Sequence, residues 1–156
     1  MDKQKIRVLA LAVFRRGDEI LVMEGYDPLK RETFYRPLGG GVEFGERVLD
    51  ALRRELHEEI GAAIKDVRLL QVMENLFVFN GAPGHEIVWM HDAALVDPAF
   101  YARAEIAINE NGTRGRAVWK SLREFEAGRA ILYPDGLLDS LARKFQSESR
   151  RNRNSR

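Results

Sequence analysis

The chain contains no cysteine, which excludes disulfide bonds, thiol nucleophiles and cysteine-ligated zinc. It also lacks any apolar run near the roughly 18 residues that a membrane-spanning helix needs. The apolar stretch 8–14 is followed by the polar segment 15–18 in place of a small-residue cleavage site, so we interpret it as a core strand and not as a signal peptide. We therefore predict a cytoplasmic protein without a membrane partner.

The chain also has little net charge, +1 over 156 residues, but that charge is unevenly distributed. Residues 143–156 contain six Lys or Arg and one Glu, a net +5, which leaves −4 for the remainder. Residues 146–156 have no apolar side chain to bury, so we expect a basic, mobile tail behind a single domain of residues 1–145. We interpret the tail as a solubilising terminus and expect no nucleic-acid partner, with RNA binding through the arginines as the alternative.

Hydrophobic periodicity and turn residues predict strands that are interleaved with a few helices. The predicted strands are 6–14, 19–23, 34–36, 67–73, 75–79, 85–96, 104–108 and 116–119. The predicted helices are 49–60, 122–128 and 135–145, and 25–33 is expected to form a loop. This order is typical of an α/β protein, and we expect an α/β/α sandwich with a mixed β-sheet.

Three glutamates, Glu55, Glu58 and Glu59, lie within five positions of the first predicted helix. At ~100° per residue they form one stripe beside the apolar stripe that contains Leu49, and Ala51 lies in the middle of the acidic stripe. Carboxylates this close repel one another unless a cation lies between them. Oxygen donors without Cys or His favour Mg²⁺, with Mn²⁺ as a substitute, and a solvated acidic helix face is the alternative.

A glycine triplet precedes this helix and allows the backbone to approach a ligand closely. The carbonyl of Gly39 is a candidate metal ligand, and the amides of Gly40 and Gly41 are candidates to face a phosphate. Arg36, three residues before Gly39, is the best phosphate-binding candidate among the arginines. These residues and the acidic stripe together predict a site for a metal ion and a phosphorylated ligand.

The spacing of these residues resembles the Nudix box, GX5EX7REUXEEXGU, in which U is a bulky aliphatic residue. Gly40 is followed after five residues by Glu46, and after seven more by the run 54–61, Arg-Glu-Leu-His-Glu-Glu-Ile-Gly. The one departure is Ala62 at the last U position, which costs packing but no chemistry. The box covers 23 residues, 40–62, and the segments around it are compatible with a Nudix domain.

The resemblance implies a loop-helix-loop motif in an α/β/α sandwich and hydrolysis of a nucleoside diphosphate linked to another group. It implies that Glu55, Glu58 and Glu59 bind Mg²⁺ together with the carbonyl of Gly39. It also implies that Arg54 orients Glu55 through a salt bridge and that Glu46 supports the box. The general base is expected to be Glu55. A glutamate from a late loop is expected to assist as metal ligand or base, with Glu110 as the first candidate and Glu105 as the second.

The substrate is not determined by the motif, since a nucleoside triphosphate, ADP-ribose or another nucleotide sugar, and a dinucleotide all contain the required diphosphate. Tyr35, Phe77, Phe79 and Trp89 are candidates to stack on a base, although strand aromatics more often belong to the core. The alternative function is a Nudix-fold module that binds nucleotides without hydrolysing them. The oligomeric state is left open, with a homodimer among the alternatives.

Overall fold

A mixed β-sheet forms the middle of the molecule, and the computed structural model describes residues 4–155. Its strands are β1 (Arg7–Val13), β2 (Arg15–Arg16), β3 (Glu19–Asp27), β4 (Glu32–Gly41), β5 (Ile64–Phe79), β6 (Ala82–Leu95), β7 (Glu105–Glu110) and β8 (Thr113–Ser121). The helices are α1 (Val48–Ile60), α2 (Leu122–Glu126) and α3 (Leu137–Asn154), and a 3-10 turn spans Pro98–Ala102. None of the helices in residues 4–155 has the length and apolar character needed to cross a bilayer.

The sheet runs in the order β5-β6-β1-β4-β3-β8-β7, with β2 paired to β3. Strand β1 is parallel to β6 and antiparallel to β4, so the sheet is mixed as predicted. Helix α1 packs over one face, where Leu52 and Leu56 are fully buried. Helices α2 and α3 cover the other face, where Leu137 and Leu141 join the core. The predicted α/β/α sandwich is therefore confirmed.

The strands are longer than the sequence predicted. The segment 25–33, predicted as a loop, contains the end of β3 and the start of β4 around a turn at 28–31. The glycine triplet is the last part of β4, paired through Gly39, Gly40 and Gly41 to β1. Polar residues and glycine lower strand propensity locally, but backbone pairing with a neighbouring strand overrides that preference here.

The buried carboxylate of Asp27 joins two turns at one end of the sheet. Its oxygens accept hydrogen bonds from the backbone N–H groups of Leu29 and Lys30 at 3.0 Å and from that of Asn80, also at 3.0 Å. The hydrogen bond from the Lys30 N–H holds the pKa of Asp27 below its ordinary value. Asp27 thus fixes the β3–β4 turn against the tip of the β5–β6 hairpin.

The segment predicted as a tail after residue 145 is helical in its described part, and its mobility stays a prediction. Helix α3 continues to Asn154. The guanidinium of Arg15 lies 3.5 Å from the centre of the Phe145 ring and pairs with Glu148. The lack of apolar residues suggested disorder, but an ion pair and a cation–π contact from β2 hold this part of the helix. The domain boundary at residue 145 stays a prediction.

Candidate functional site

Helix α1 directs Glu59 toward the sheet together with Leu52 and Leu56 of its apolar stripe. Measured from Leu49, the buried residues Ala51, Leu52 and Leu56 lie at roughly 200°, 300° and 340°, and Glu59 lies at roughly 280°. Leu49 itself is 41% exposed, whereas Ala51 is fully buried. The predicted core position of Leu49 is therefore wrong, and Ala51 packs in the core instead of leaving space for an ion.

Glu59 is held almost completely out of water, with 4% of its surface exposed. Its Oε2 accepts a hydrogen bond from the N–H of Gly39 at 3.2 Å, and its buried Oε1 has no hydrogen-bond partner within residues 4–155. Burial raises the pKa of Glu59 to about 8, although Arg36 and the Gly39 N–H act in the opposite direction. A buried carboxyl group with an unpaired oxygen either stays protonated or needs a cation to compensate its charge.

Two glycines of the triplet lie where a side chain would not fit. Gly39 has a φ of 129°, and a Cβ there would overlap the carbonyl oxygen of Ala10. A Cβ on Gly40 would overlap the carboxyl group of Glu55, with both carboxylate oxygens 2.6 Å away. From the sequence, we expected the amide of Gly40 to face a phosphate. In the structure, the absence of a side chain on this glycine makes room for Glu55.

Arg54 holds the carboxylates on the outer side of the helix. Its Nε and Nη2 donate to the two oxygens of Glu46 at 2.8 and 2.9 Å. Its Nη1 donates to Glu55 at 3.0 Å and to Glu58 at 3.3 Å, and Nη2 also donates to the carbonyl of Gly41 at 2.9 Å. The hydrogen bond from Arg54 lowers the pKa of Glu46 to about 2. Arg54 therefore links the start of the box to its acidic end.

A cleft, here called the acidic cleft, runs along this helix. It is lined by the carboxylates Glu43, Glu55, Glu58, Glu59 and Glu110, the basic residues Arg7, Arg36 and Arg54, and the backbone of 40–42 and 109–112. The structure thus brings the predicted Arg36 and Glu110 to the three box glutamates, and Arg36 pairs with Glu110 at 3.3 Å. Glu105 is not among the lining residues and pairs with the exposed Arg116.

The donor chemistry of the acidic cleft fits a hard divalent cation. Glu55, Glu58, Glu59 and Glu110 supply carboxylate oxygens, which Mg²⁺ and Mn²⁺ prefer, and the unpaired Oε1 of Glu59 is one of them. Within residues 4–155, however, no three such side chains converge closely enough to hold an ion as they stand. Glu58 points outward and Glu55 is turned to Arg54, so the full ligand set is not preformed.

A second cleft of about 240 Å³, here called the aromatic cleft, adjoins the first. The side chains of Arg7, Arg36 and Glu110 line both clefts. The wall of the aromatic cleft includes Phe34, Phe77, Phe79, Tyr133, Asn75, Glu86, Leu9, Leu11 and Val88. The shared residues make the two clefts one continuous groove that leads from the carboxylates to a largely apolar compartment.

Sequence reasoning found part of the aromatic cleft. Phe77 and Phe79 line it as proposed, while Tyr35 is buried against Phe125 and Trp89 is not among the lining residues. Arg7, Phe34, Asn75, Glu86 and Tyr133 were missed. The sequence contained one signal for this cleft. Glu86 is charged, whereas the next positions on the same face of its strand are apolar. Periodicity analysis treats such a residue as an exception to the pattern and does not assign it to a site.

Comparison with known proteins agrees with this geometry. The family model described as NUDIX domain matches residues 3–135. An 8-oxo-dGDP phosphatase of Mus musculus is 34% identical over 87 residues, and the match covers 52% of this chain. The chain spans only 27% of the length of that relative.

Two solved structures show the same fold. A NUDIX hydrolase from Nitrosomonas europaea has a TM-score of 0.65 at 20% identity, with 92% of this chain and 90% of that chain covered. An ADP-ribose pyrophosphatase from Streptococcus suis has a TM-score of 0.57 at 16% identity, with 87% of each chain covered. Since the family model matches most of the chain and the box residues form one cleft, the chain belongs to the Nudix hydrolase family.

Proposed function

We propose that the protein hydrolyses a nucleoside diphosphate linked to another group, with Mg²⁺ or Mn²⁺ as cofactor. The observation that carries the proposal is the buried, unpaired Oε1 of Glu59 in a cleft with Glu55, Glu58 and Glu110. A stable domain has little reason to keep this carboxylate out of water without a cation partner. The divalent cation, when bound, neutralises phosphate charge and activates water.

Each side chain of the groove has a separate task in this proposal. Glu59 is fixed by the Gly39 N–H and Glu55 by Arg54. Glu55 accepts the proton of the attacking water, because it lies in the cleft and its position is held. Arg36 binds the diphosphate, since its guanidinium lines both parts of the groove.

The nucleoside occupies the aromatic cleft. Phe34 and Tyr133 meet edge to face with ring centroids 5.5 Å apart, and Phe34 and Phe79 are 6.0 Å apart. Flat apolar walls of this kind suit a nucleobase. One relative is named as an 8-oxo-dGDP phosphatase and one similar structure as an ADP-ribose pyrophosphatase, so both compounds belong among the first substrates to test. A cytoplasmic location and a homodimeric state stay predictions.

A product screen tests the proposal. Purified protein is incubated with nucleoside triphosphates, 8-oxo-dGDP, ADP-ribose, UDP-glucose and a dinucleoside polyphosphate, with Mg²⁺, with Mn²⁺ and with EDTA, and products are separated chromatographically. We expect metal-dependent cleavage of a phosphoric anhydride that is lost in Glu55→Gln. Nucleotide binding without turnover of any substrate would instead identify the non-hydrolysing module.

A further inference from the structure

Two polar side chains, those of Asn75 and Glu86, line the aromatic cleft where it reaches the sheet. Asn75 and Glu86 are each 9% exposed, and they face each other as paired residues of β5 and β6. Within residues 4–155 neither side chain makes a hydrogen bond, and the only ion pair is a contact of 3.5 Å between Arg7 and Glu86. Neither side chain has a polar atom that is both fully buried and without a partner in the described residues, so their free polar atoms face the cleft, where a ligand can hydrogen-bond to them.

Their surroundings argue against a purely structural role. On the same face, the next positions along the two strands are Met73 and Val88, which pack in the core. An apolar pair would continue that core at no desolvation cost. The protein instead places an amide and a carboxylate where the cleft reaches the sheet.

The position of this pair along the groove identifies the part of the ligand that it meets. Arg7 lines the acidic cleft as well as the aromatic cleft, and Glu86 lies directly against it. Phe77 lies two residues beyond Asn75 on β5, about 7 Å further from that border. Along the wall formed by β1, β6 and β5, the order from the phosphate end is therefore Arg7, then Glu86 with Asn75, then Phe77. A nucleotide has the same order of phosphate, pentose and base.

We propose that Glu86 and Asn75 bind the ribose hydroxyls, so that the enzyme prefers ribonucleotides to 2′-deoxyribonucleotides; this inference rests on the proposed hydrolysis of a nucleoside diphosphate derivative. A carboxylate has two acceptor oxygens, and the vicinal 2′- and 3′-hydroxyls are two adjacent donors. The amide of Asn75 can donate to the same hydroxyls and accept from them. A phosphate would be repelled by Glu86, and a base stacks on the rings beyond.

The experiment compares sugars on one base. The nucleoside triphosphate that the wild type hydrolyses fastest is assayed with Mg²⁺ beside its 2′-deoxy counterpart, in wild type, Glu86→Gln and Asn75→Leu. Glu74→Gln is the matched control, because Glu74 neighbours Asn75 but is exposed and pairs with His85. Circular dichroism and thermal unfolding check that each variant folds.

We expect kcat/KM of the wild type to favour the ribonucleotide by about 10- to 100-fold, the effect of losing hydrogen bonds to a charged group. Glu86→Gln should bring this ratio toward one by lowering activity on the ribonucleotide alone, and Glu74→Gln should leave it unchanged. A wild-type ratio near one, or an equal loss on both sugars in Glu86→Gln, would overturn the proposal.

Failure of the proposed function gives a different result. If the wild type hydrolyses none of the screened substrates, or hydrolyses some of them but no triphosphate, calorimetric binding of AMP and GMP is compared with that of their 2′-deoxy forms. Tighter binding of the ribonucleotides that is lost in Glu86→Gln supports the ribose site even without hydrolysis. Equal binding of both sugars, or no binding, overturns it. If Glu86→Gln loses affinity in a way that depends on the base and not on the sugar, that result contradicts the proposal as well.

Discussion

Replacing Gly40 by alanine should inactivate the protein without unfolding it. A Cβ at this position would overlap the carboxyl group of Glu55, with its oxygens 2.6 Å away. The overlapped atoms are the free end of a flexible side chain, so the chain can relieve the overlap by moving Glu55. That movement breaks the 3.0 Å ion pair between Glu55 and Arg54 and removes the proposed base from its position.

The expected magnitude follows from the role proposed for Glu55. General base catalysis contributes about 10²–10⁴-fold, so kcat of Gly40→Ala should fall by at least about 100-fold. Stability should change by less than about 1 kcal/mol, which corresponds to a Tm shift within about 4 °C for a chain of this size. Steady-state kinetics on the best substrate of the screen and thermal unfolding measure the two quantities.

Two further glycine variants serve as comparisons. Gly115→Ala is the matched control, since a Cβ there meets only Ile108 at 3.9 Å, and it should retain wild-type kcat. Gly39→Ala should instead destabilise the fold by about 3 kcal/mol, because it combines backbone overlap with a φ of 129°.

A double-mutant cycle decides whether Gly40 acts through Glu55. If it does, Gly40→Ala should cost almost nothing further in a Glu55→Gln background, because the affected group is already gone. Full activity of Gly40→Ala, or the same fold-loss in both backgrounds, would show that Gly40 does not act by positioning Glu55.

Three other predictions concern the surroundings of the site. Arg54→Lys removes the planar guanidinium group that binds several carboxylates at once, and it should lower the free energy of unfolding in urea by about 2 kcal/mol. The control Arg53→Lys, at an exposed neighbouring position, should change that free energy little. Equal effects of the two variants would contradict the hydrogen-bond network assigned to Arg54. Asp27→Asn should destabilise the protein at neutral pH, and the difference in Tm from wild type should shrink as the pH falls below about 4 and vanish once the pH is below the lowered pKa of folded Asp27; a pH-independent difference would exclude an ionic origin. Glu110→Gln should lower Mg²⁺-dependent kcat/KM by about tenfold and Glu105→Gln should not, and the reverse pattern would transfer the role to Glu105.

The box and the layers of the fold could be predicted because they depend on local spacing. Interleaved strand and helix patterns indicate a sheet covered on both faces. Arg54 contacts Glu46 and Glu55, which lie close to it in sequence, in the same helix or in the loop just before it. The exposure of Leu49 and the burial of Glu59 could not be predicted in this way. Periodicity assigns the apolar stripe with Leu49 to the core, but the Gly39 N–H attracts Glu59 inward, and that contact joins distant parts of the chain.

Most residues of the aromatic cleft could not be predicted from the sequence either, because they come from distant parts of the chain. Its walls come from β1, β4, β5, β6 and the loop before α3, so only the pairing of those strands brings Phe34, Tyr133 and Glu86 together. The end of α3 was missed because its stabilising contacts come from Arg15, more than a hundred residues earlier. Composition describes what a segment can bury by itself and does not reveal a partner supplied by another element.

The proposed hydrolase function depends most directly on a divalent cation bound at Glu59. Thermal unfolding of EDTA-treated protein is followed while MgCl₂ is added, in wild type, in Glu59→Gln and in the exposed control Glu126→Gln. At a free Mg²⁺ concentration ten times the dissociation constant, binding stabilises the fold by about 1.4 kcal/mol, which is a rise in Tm of about 3–6 °C. We expect this rise in Tm in the wild type and in Glu126→Gln, and no rise in Glu59→Gln. A wild type that does not respond to Mg²⁺ or Mn²⁺, or a Glu59→Gln variant that responds equally, would contradict the proposal.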